Sequence, residues 1–293
     1  MDIWHEVGRI VRFSNLGTLI FFLLNISLIL ALFCPYGVTF ESAAPLIVCY
    51  FLTVLISLSP AGEWTLAALA NAKEIQRKDI KICLIPLLEI VFEQAKQKTP
   101  SMVDSIRLKI IRDQSPNAFA IGRKTICVTD GLLNLSDEDI IAVFAHELGH
   151  IAYRHSAVQL LIGGGNLFIS GFLLLLKWTY WVMTGAISLL AISTRRFSGG
   201  ILIAVIGGLS SVSLWLWTKF CMIFLSWSMR QNEFVADEYA YDLGFGNDLA
   251  RVLDNQICSV PENGLLKALY STHPHSDDRV ARLQELGATY SRY

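Results

Sequence analysis

Four stretches of this chain contain no charged side chain: residues 13–40, 42–62, 156–176 and 197–218. A helix of about 20 apolar residues crosses a bilayer, because every backbone N–H and C=O must find its partner within the segment once water is gone. Each run has that length. Together they account for a chain that is 53% hydrophobic and only 17% charged, outside the range of ordinary soluble domains. The expected fold class is a mainly α integral membrane protein with about four transmembrane helices. Arg9 and Arg12 precede the first run as in a signal sequence. Its apolar core is nevertheless longer than a usual h-region and no small-x-small cleavage site follows, so it reads as an uncleaved anchor.

The polar remainder, 63–155 and 230–293, is enough for one cored domain built from two separated pieces. Between 64 and 99 the pattern reads as helical, with Leu87, Leu88, Val91 and Ala95 recurring at helical spacing after Pro86. Ile106, Leu108 and Ile110 alternate with charged residues, and short strands are expected at 117–121 and 125–128 around a turn at Gly122. A net charge of −1 gives no electrostatic reason for nucleic-acid binding. Cys34, Cys49, Cys83, Cys127, Cys221 and Cys258 are scattered without a CxxC pair, so buried free thiols are expected, with no disulfide scaffold and no thiolate zinc site.

His146-Glu147-Leu148-Gly149-His150 carries the chemistry. On a helix, two histidines four residues apart stack on one face and can share one tetrahedral zinc, while Glu147 projects toward the open coordination position as a general base. The flanks are helical. Ser136 reads as an N-cap, Asp137, Glu138 and Asp139 fill the first turn, and Ile140, Ile141, Val143, Phe144, Leu148 and Ile151 supply the buried face. Gly149 is a poor helix former, and its missing side chain permits close approach of another backbone. The helix is expected to continue through His155 into the third apolar run. His155 falls one residue short of the third-histidine spacing of metzincins and reads as a helix-end or interfacial residue.

Zinc needs a third protein ligand. Glu233 and Asp237, in the stretch from Arg230, lie one turn apart beyond the last apolar run. That spacing lets one carboxylate bind the ion while the other accepts a hydrogen bond from a ligand imidazole. His273 and Arg279 are donors of the kind that stabilise a tetrahedral oxyanion, and equally of the kind found at a helix start and in a surface ion pair.

HELGH, the distal R-x-x-E-F-x-A-D at 230–237, and Thr272-His273-Pro274 with Arg279 together resemble the HtpX-like membrane zinc metalloproteases, a gluzincin family that also contains the CAAX prenyl proteases. The resemblance extends over most of the chain and includes Asn117, Ala118 and Phe119 ahead of the metal helix. It implies one zinc ion per chain, with His146, His150 and Glu233 as ligands and Glu147 as base, and Asp237 in support. His273 and Arg279 are implied as transition-state stabilisers, and Asn117, Ala118 and Phe119 as the strand that pairs with substrate. It further implies a cytoplasmic α+β zincin-type catalytic domain with a small β-sheet, a bacterial inner-membrane location, and protein substrates drawn from misfolded or damaged membrane proteins.

The expected organisation is 1–62, two transmembrane helices; 63–155, the first part of the catalytic domain; 156–226, a transmembrane pair; and 227–293, the second part. His150 and Glu233 must share one side of the bilayer, so an even number of crossings separates them. The 178–194 segment, bracketed by Lys177, Arg195 and Arg196, is therefore expected to lie in the interface or re-enter. Lys73, Arg77, Lys78 and Lys81 follow the second run and place the zinc site in the cytoplasm by the positive-inside rule, although Arg195 and Arg196 then oppose it. Alternative readings are an intramembrane or prenyl-protein-processing zinc protease, and a non-enzymatic membrane protein with a structural zinc site. The polar residues flanking HELGH argue against the first, and an intact Glu147 against the last.

Overall fold

The computed structural model describes residues 15–34, 36–158, 198–255 and 276–291, with 171, 175, 178–179 and 181–186. Of the third apolar run only 156–158, 171 and 175 fall within these, so the expected span there lies outside the described residues, as do His273, Cys258 and all of 187–197. The described residues are mainly helical with one small mixed sheet, and they divide into two compact units.

One unit falls within 17–54 and 162–225. It holds most of α1 (Leu16–Phe33) and α2 (Phe40–Ser57). Among the described residues, α2 is the helix long and apolar enough to cross a membrane by length and composition, and α1 contributes a shorter apolar stretch. The ring of Phe22 meets that of buried Tyr50 edge-on at 6.4 Å, whereas Val48, Phe51 and Leu52 point outward. An apolar exterior of that kind suits lipid. Cys49 is exposed on α2 and Cys83 is exposed in the other unit, against the expectation of buried thiols; Cys34 and Cys127 are buried, and all four are free. Burial pushes the Cys127 thiol up to about 12, so it stays protonated and chemically quiet.

The other unit, which contains the polar segments, is built around a four-stranded sheet. After α3 (Pro60–Leu69) come β1 (Lys73–Glu74), α4 (Lys78–Lys98), β2 (Arg107–Ile111), β3 (Ala118–Ile121) and β4 (Thr125–Thr129), and the sheet order is β1-β2-β4-β3. β2 runs parallel to β4, and both outer pairs are antiparallel. The expected helix over 64–99 is thus two helices with an intervening strand. Asn71, with φ 53, breaks the first, and Ile75 turns into the core at 4% exposure. Helical periodicity on either side hid this interruption, because a two-residue strand leaves almost no pattern of its own.

The turn at Gly122 has φ +62, as a tight hairpin requires, and the Glu63 carboxylate accepts the Arg123 N–H at 2.8 Å beside it. α5 (Asp137–Ala152) follows, packed on α4 and β3. Its start is as read from the sequence, since Ser136 accepts the Asp139 N–H at 3.2 Å. Leu84, Val91, Ile126, Ile140, Phe144 and Leu148 form the middle of the core. α5 does not continue through His155. It ends at Ala152, Tyr153 caps it, and Arg154 takes φ 60, a left-handed conformation that stops a helix whatever the side chain.

α6 (Ser198–Ala240) is 43 residues long, includes nearly all of the fourth apolar run, and carries Glu233 and Asp237 near its end. A π-helical segment, Tyr241–Phe245, with Gly244 at φ 93, turns the chain into α7 (Gly246–Asn255), which packs on α5. α8 (Ser276–Leu286) then lies against α7.

Candidate metal centre

α5 and α6 meet where Gly149 leaves room. A Cβ at that position would stand 3.1 Å from the Cα and carbonyl oxygen of Ala236, so the glycine expected to admit another backbone does so, and the backbone admitted is the turn between Glu233 and Asp237. This approach sets the two motifs face to face. His146, His150 and Glu233 are all buried, and one donor atom from each lies within 4.8 Å of the others.

The separations are informative. Nε2 of His146 is 3.1 Å from Nε2 of His150 and 3.5 Å from Oε2 of Glu233, and Nε2 of His150 is 3.3 Å from Oε1 of Glu233. Ligands about 2.0–2.1 Å from a tetrahedral zinc lie roughly 3.3 Å apart. Behind the first ring, Nδ1 of His146 donates to Oδ1 of Asp237 at 2.9 Å, which leaves the lone pair of Nε2 aimed into the cluster. Three electron-pair donors converging in a buried pocket repel one another unless a proton or a metal cation lies between them. The donor set of two imidazoles and a carboxylate therefore fits zinc.

Charged groups surround the His146 ring. Burial and the Arg279 guanidinium push against a charged His146, but Asp237 and Glu233 outweigh them and lift its pKa to about 9. Burial would raise the Asp237 carboxyl; the charge and hydrogen bonds of Arg279, with His146, hold it below the usual carboxylate range. Arg279 grips Asp237 with two bonds, Nε to Oδ2 at 2.8 Å and Nη2 to Oδ1 at 2.6 Å, and its Nη1 is 3.3 Å from Oε2 of Glu233. All these groups are inside, with Asp237 at 0% exposure. Arg279 and Asp237, expected near the site, are thus brought to it from α8 and α6.

Glu147, the next residue on α5, is also buried, and its Oε2 accepts the N–H of Ala120 at 2.7 Å. Ala120 belongs to β3, the edge strand of the sheet. Thr129 N–H donates to the Asn117 carbonyl at 3.0 Å, which fixes which residues bond across the ladder. By the alternation of an antiparallel pair, the peptide groups of Ala118 and Ala120 point away from β4. The segment expected to receive a substrate strand therefore presents an outward edge beside Glu147.

Three contacts had no place in the sequence reading. His155 is 2% exposed and its Nδ1 is 3.1 Å from Nδ1 of His150. Ser156 Oγ donates to the Gly122 carbonyl at 2.7 Å, and buried Asn232, beside Glu233, donates to Asn15 at 3.1 Å. His155 was visible as a histidine just past the motif; the turn that brings it back was not.

The sequence profile described as Peptidase family M48 matches residues 87–287. A protein named Protease HtpX homolog 1 from Sulfurisphaera tokodaii is 32% identical over 184 residues, 59% of this chain and 53% of that one. Protease HtpX homologs from Acaryochloris marina and Burkholderia cenocepacia are 27% and 28% identical, covering 79% and 62% of this chain and 83% and 68% of theirs. This chain thus spans about half the length of the first of these relatives. Among solved structures, S. mikatae Ste24p aligns with a TM-score of 0.47 at 18% identity, over 88% of this chain and 62% of that one.

Proposed function

The chain belongs to peptidase family M48, and from that premise we propose that it is a zinc-dependent, membrane-bound endopeptidase with His146, His150 and Glu233 as ligands and Glu147 as general base. The observation that carries this reading is the convergence of the three donor atoms, 3.1 to 3.5 Å apart, next to a carboxylate already tied to the backbone of the sheet's edge strand.

Bound zinc would supply Lewis-acid polarisation of the scissile carbonyl and acidify a water at the same position. The protein's own part is to hold and move protons. Glu147, oriented through Oε2 by Ala120, takes the proton of the attacking water and delivers it to the departing amine. Asp237 fixes the His146 ring, and Arg279, whose donors face Asp237 and Glu233, holds both carboxylates in place. This engagement favours a positioning role for Arg279 over direct donation to an oxyanion, and leaves that donation to His273.

Substrate is proposed to add as a strand along Ala118 to Ile121, next to Asn117, with the Ala120 N–H passing from Glu147 to the substrate backbone on docking. Recognition through backbone hydrogen bonds tolerates many sequences, which suits removal of misfolded or damaged membrane proteins. The carboxylate–backbone bond at Glu147 also favours an enzyme over a structural zinc site, which needs no base.

The membrane arrangement proposed with it keeps four spans, two in 1–62 and two in 156–226, with 178–194 in the interface. The two parts of the catalytic domain, 63–155 and 227–293, then face the cytoplasm of a bacterial inner membrane. Support comes from α2, from the helical fourth run and from the basic residues after the second run. Hydrolysis of an unfolded protein by the detergent-solubilised chain should stop with a chelator and return with zinc. Hydrolysis indifferent to both would refute the assignment. Single cysteines at 100 and 293 should label from the same side of the membrane.

A further inference from the structure

The two imidazoles of the motif need their protons on Nδ1 if both Nε2 atoms are to face a cation. His146 meets that need through Asp237. Among the described residues, what stands 3.1 Å from Nδ1 of His150 is not a carboxylate but Nδ1 of His155. Two ring nitrogens at that distance share one proton, so one donates and the other accepts. With His150 donating, His155 must present a bare Nδ1 and carry its own proton on Nε2. Resting on the metal reading proposed above, we infer that His155 is the positioning residue that sets the tautomer and rotation of His150, without itself touching the ion. It lies behind the ring, on the side opposite the cluster that joins His150 to His146 and Glu233.

The local backbone is shaped for this. In a continuous helix the residue five positions on lies roughly 140° around the axis and about 7.5 Å further along, out of reach of His150. Here Tyr153 closes α5, Arg154 takes φ 60, and the chain doubles back. The Tyr153 ring stacks on that of His155 at 25° and 5.8 Å between centroids. The neighbouring residue is fastened as well, since Ser156 Oγ reaches the Gly122 carbonyl at the tip of the β3–β4 turn. A left-handed non-glycine residue, a stacked ring and a side-chain tether together hold the buried imidazole in place.

The test compares acceptors of different reach. Asn places an amide oxygen where the histidine Nδ1 stood, Gln places it one bond further, and Phe fills the volume with no acceptor. Zinc affinity of the full-length solubilised protein is measured by chelator competition for the parent, His155→Asn, His155→Gln and His155→Phe. His155→Asn should stay within a few-fold of the parent. Gln and Phe should bind about 10- to 100-fold more weakly, the usual effect of removing a partner behind a metal-bound histidine. If the Phe variant does not fold, the Asn and Gln pair decides alone. Equal affinity for Asn and Gln, whether both retained or both lost, overturns the positioning role. A parent that binds no zinc overturns the metal reading, and this inference with it.

Discussion

His146 and His150 occupy successive turns of α5 and point at the same space, yet what stands behind them differs in kind. Behind His146 is a charged assembly, Asp237 at 2.9 Å with Arg279 clamped to it, drawn from α6 and α8, 91 and 133 residues along the chain. Behind His150 is a second imidazole five residues away, neutral in the tautomer inferred above. The first is a long-range arrangement that exists only once the whole unit has folded. The second is almost local and is made by one turn. Ionic support is strong but fragile, because removing one charge strands the other inside. Neutral support is weaker, and its loss leaves a single hydrogen-bond donor unmet.

The difference can be broken most forcefully at Asp237. Asp237→Ala should lower stability by about 3–5 kcal/mol, since Arg279 is left buried without its main partner, and reduce zinc affinity at least tenfold. Thermal unfolding and chelator competition read the two effects separately. After zinc has been stripped, the stability loss of Asp237→Ala should persist, whereas that of His155→Phe should shrink to about 1–3 kcal/mol or less. Equal losses for both in the stripped protein would mean that the two sides are not different in kind.

A milder probe is Arg279→Lys. It keeps the charge and loses the two-bond grip on Asp237, so a stability loss of about 1–2 kcal/mol is expected, with zinc still bound. Loss of zinc would place Arg279 closer to the ion than the account has it. The smallest effect is expected from Gly149→Ala. Helix propensity gains up to about 1 kcal/mol, but the new methyl meets Ala236 at 3.1 Å. Unfolding temperature should hardly change, while zinc affinity falls several-fold because the turn bearing Glu233 and Asp237 is displaced. Unchanged affinity would show that this contact yields without moving the ligands.

What the sequence made legible follows the same division. The helix of His146 and His150 was readable because its cap, acidic first turn and apolar face are all local signals, and its start at Ser136 agrees with them. The strands around Gly122 were readable because a hairpin keeps its pattern within a dozen residues. The stop at Arg154 was not, since a left-handed arginine has no sequence signature comparable to glycine, and with it the return of His155 was hidden. The split between α3 and α4 escaped for a related reason: Ile75 enters the core as a single residue, too little for any periodicity. The bond from Ala120 to Glu147 depends on register across a sheet edge, which residue types alone do not specify.

The central claim is that His146, His150 and Glu233 hold a zinc ion while Glu147 handles the proton. It is tested most directly by zinc stoichiometry and peptide hydrolysis measured together on Glu147→Gln and Glu233→Ala. The account predicts about one zinc per chain and no turnover for Glu147→Gln, because the amide cannot accept a proton while all three ligands remain. For Glu233→Ala it predicts loss of zinc itself. Full zinc retention in Glu233→Ala, or undiminished hydrolysis by Glu147→Gln, would contradict it.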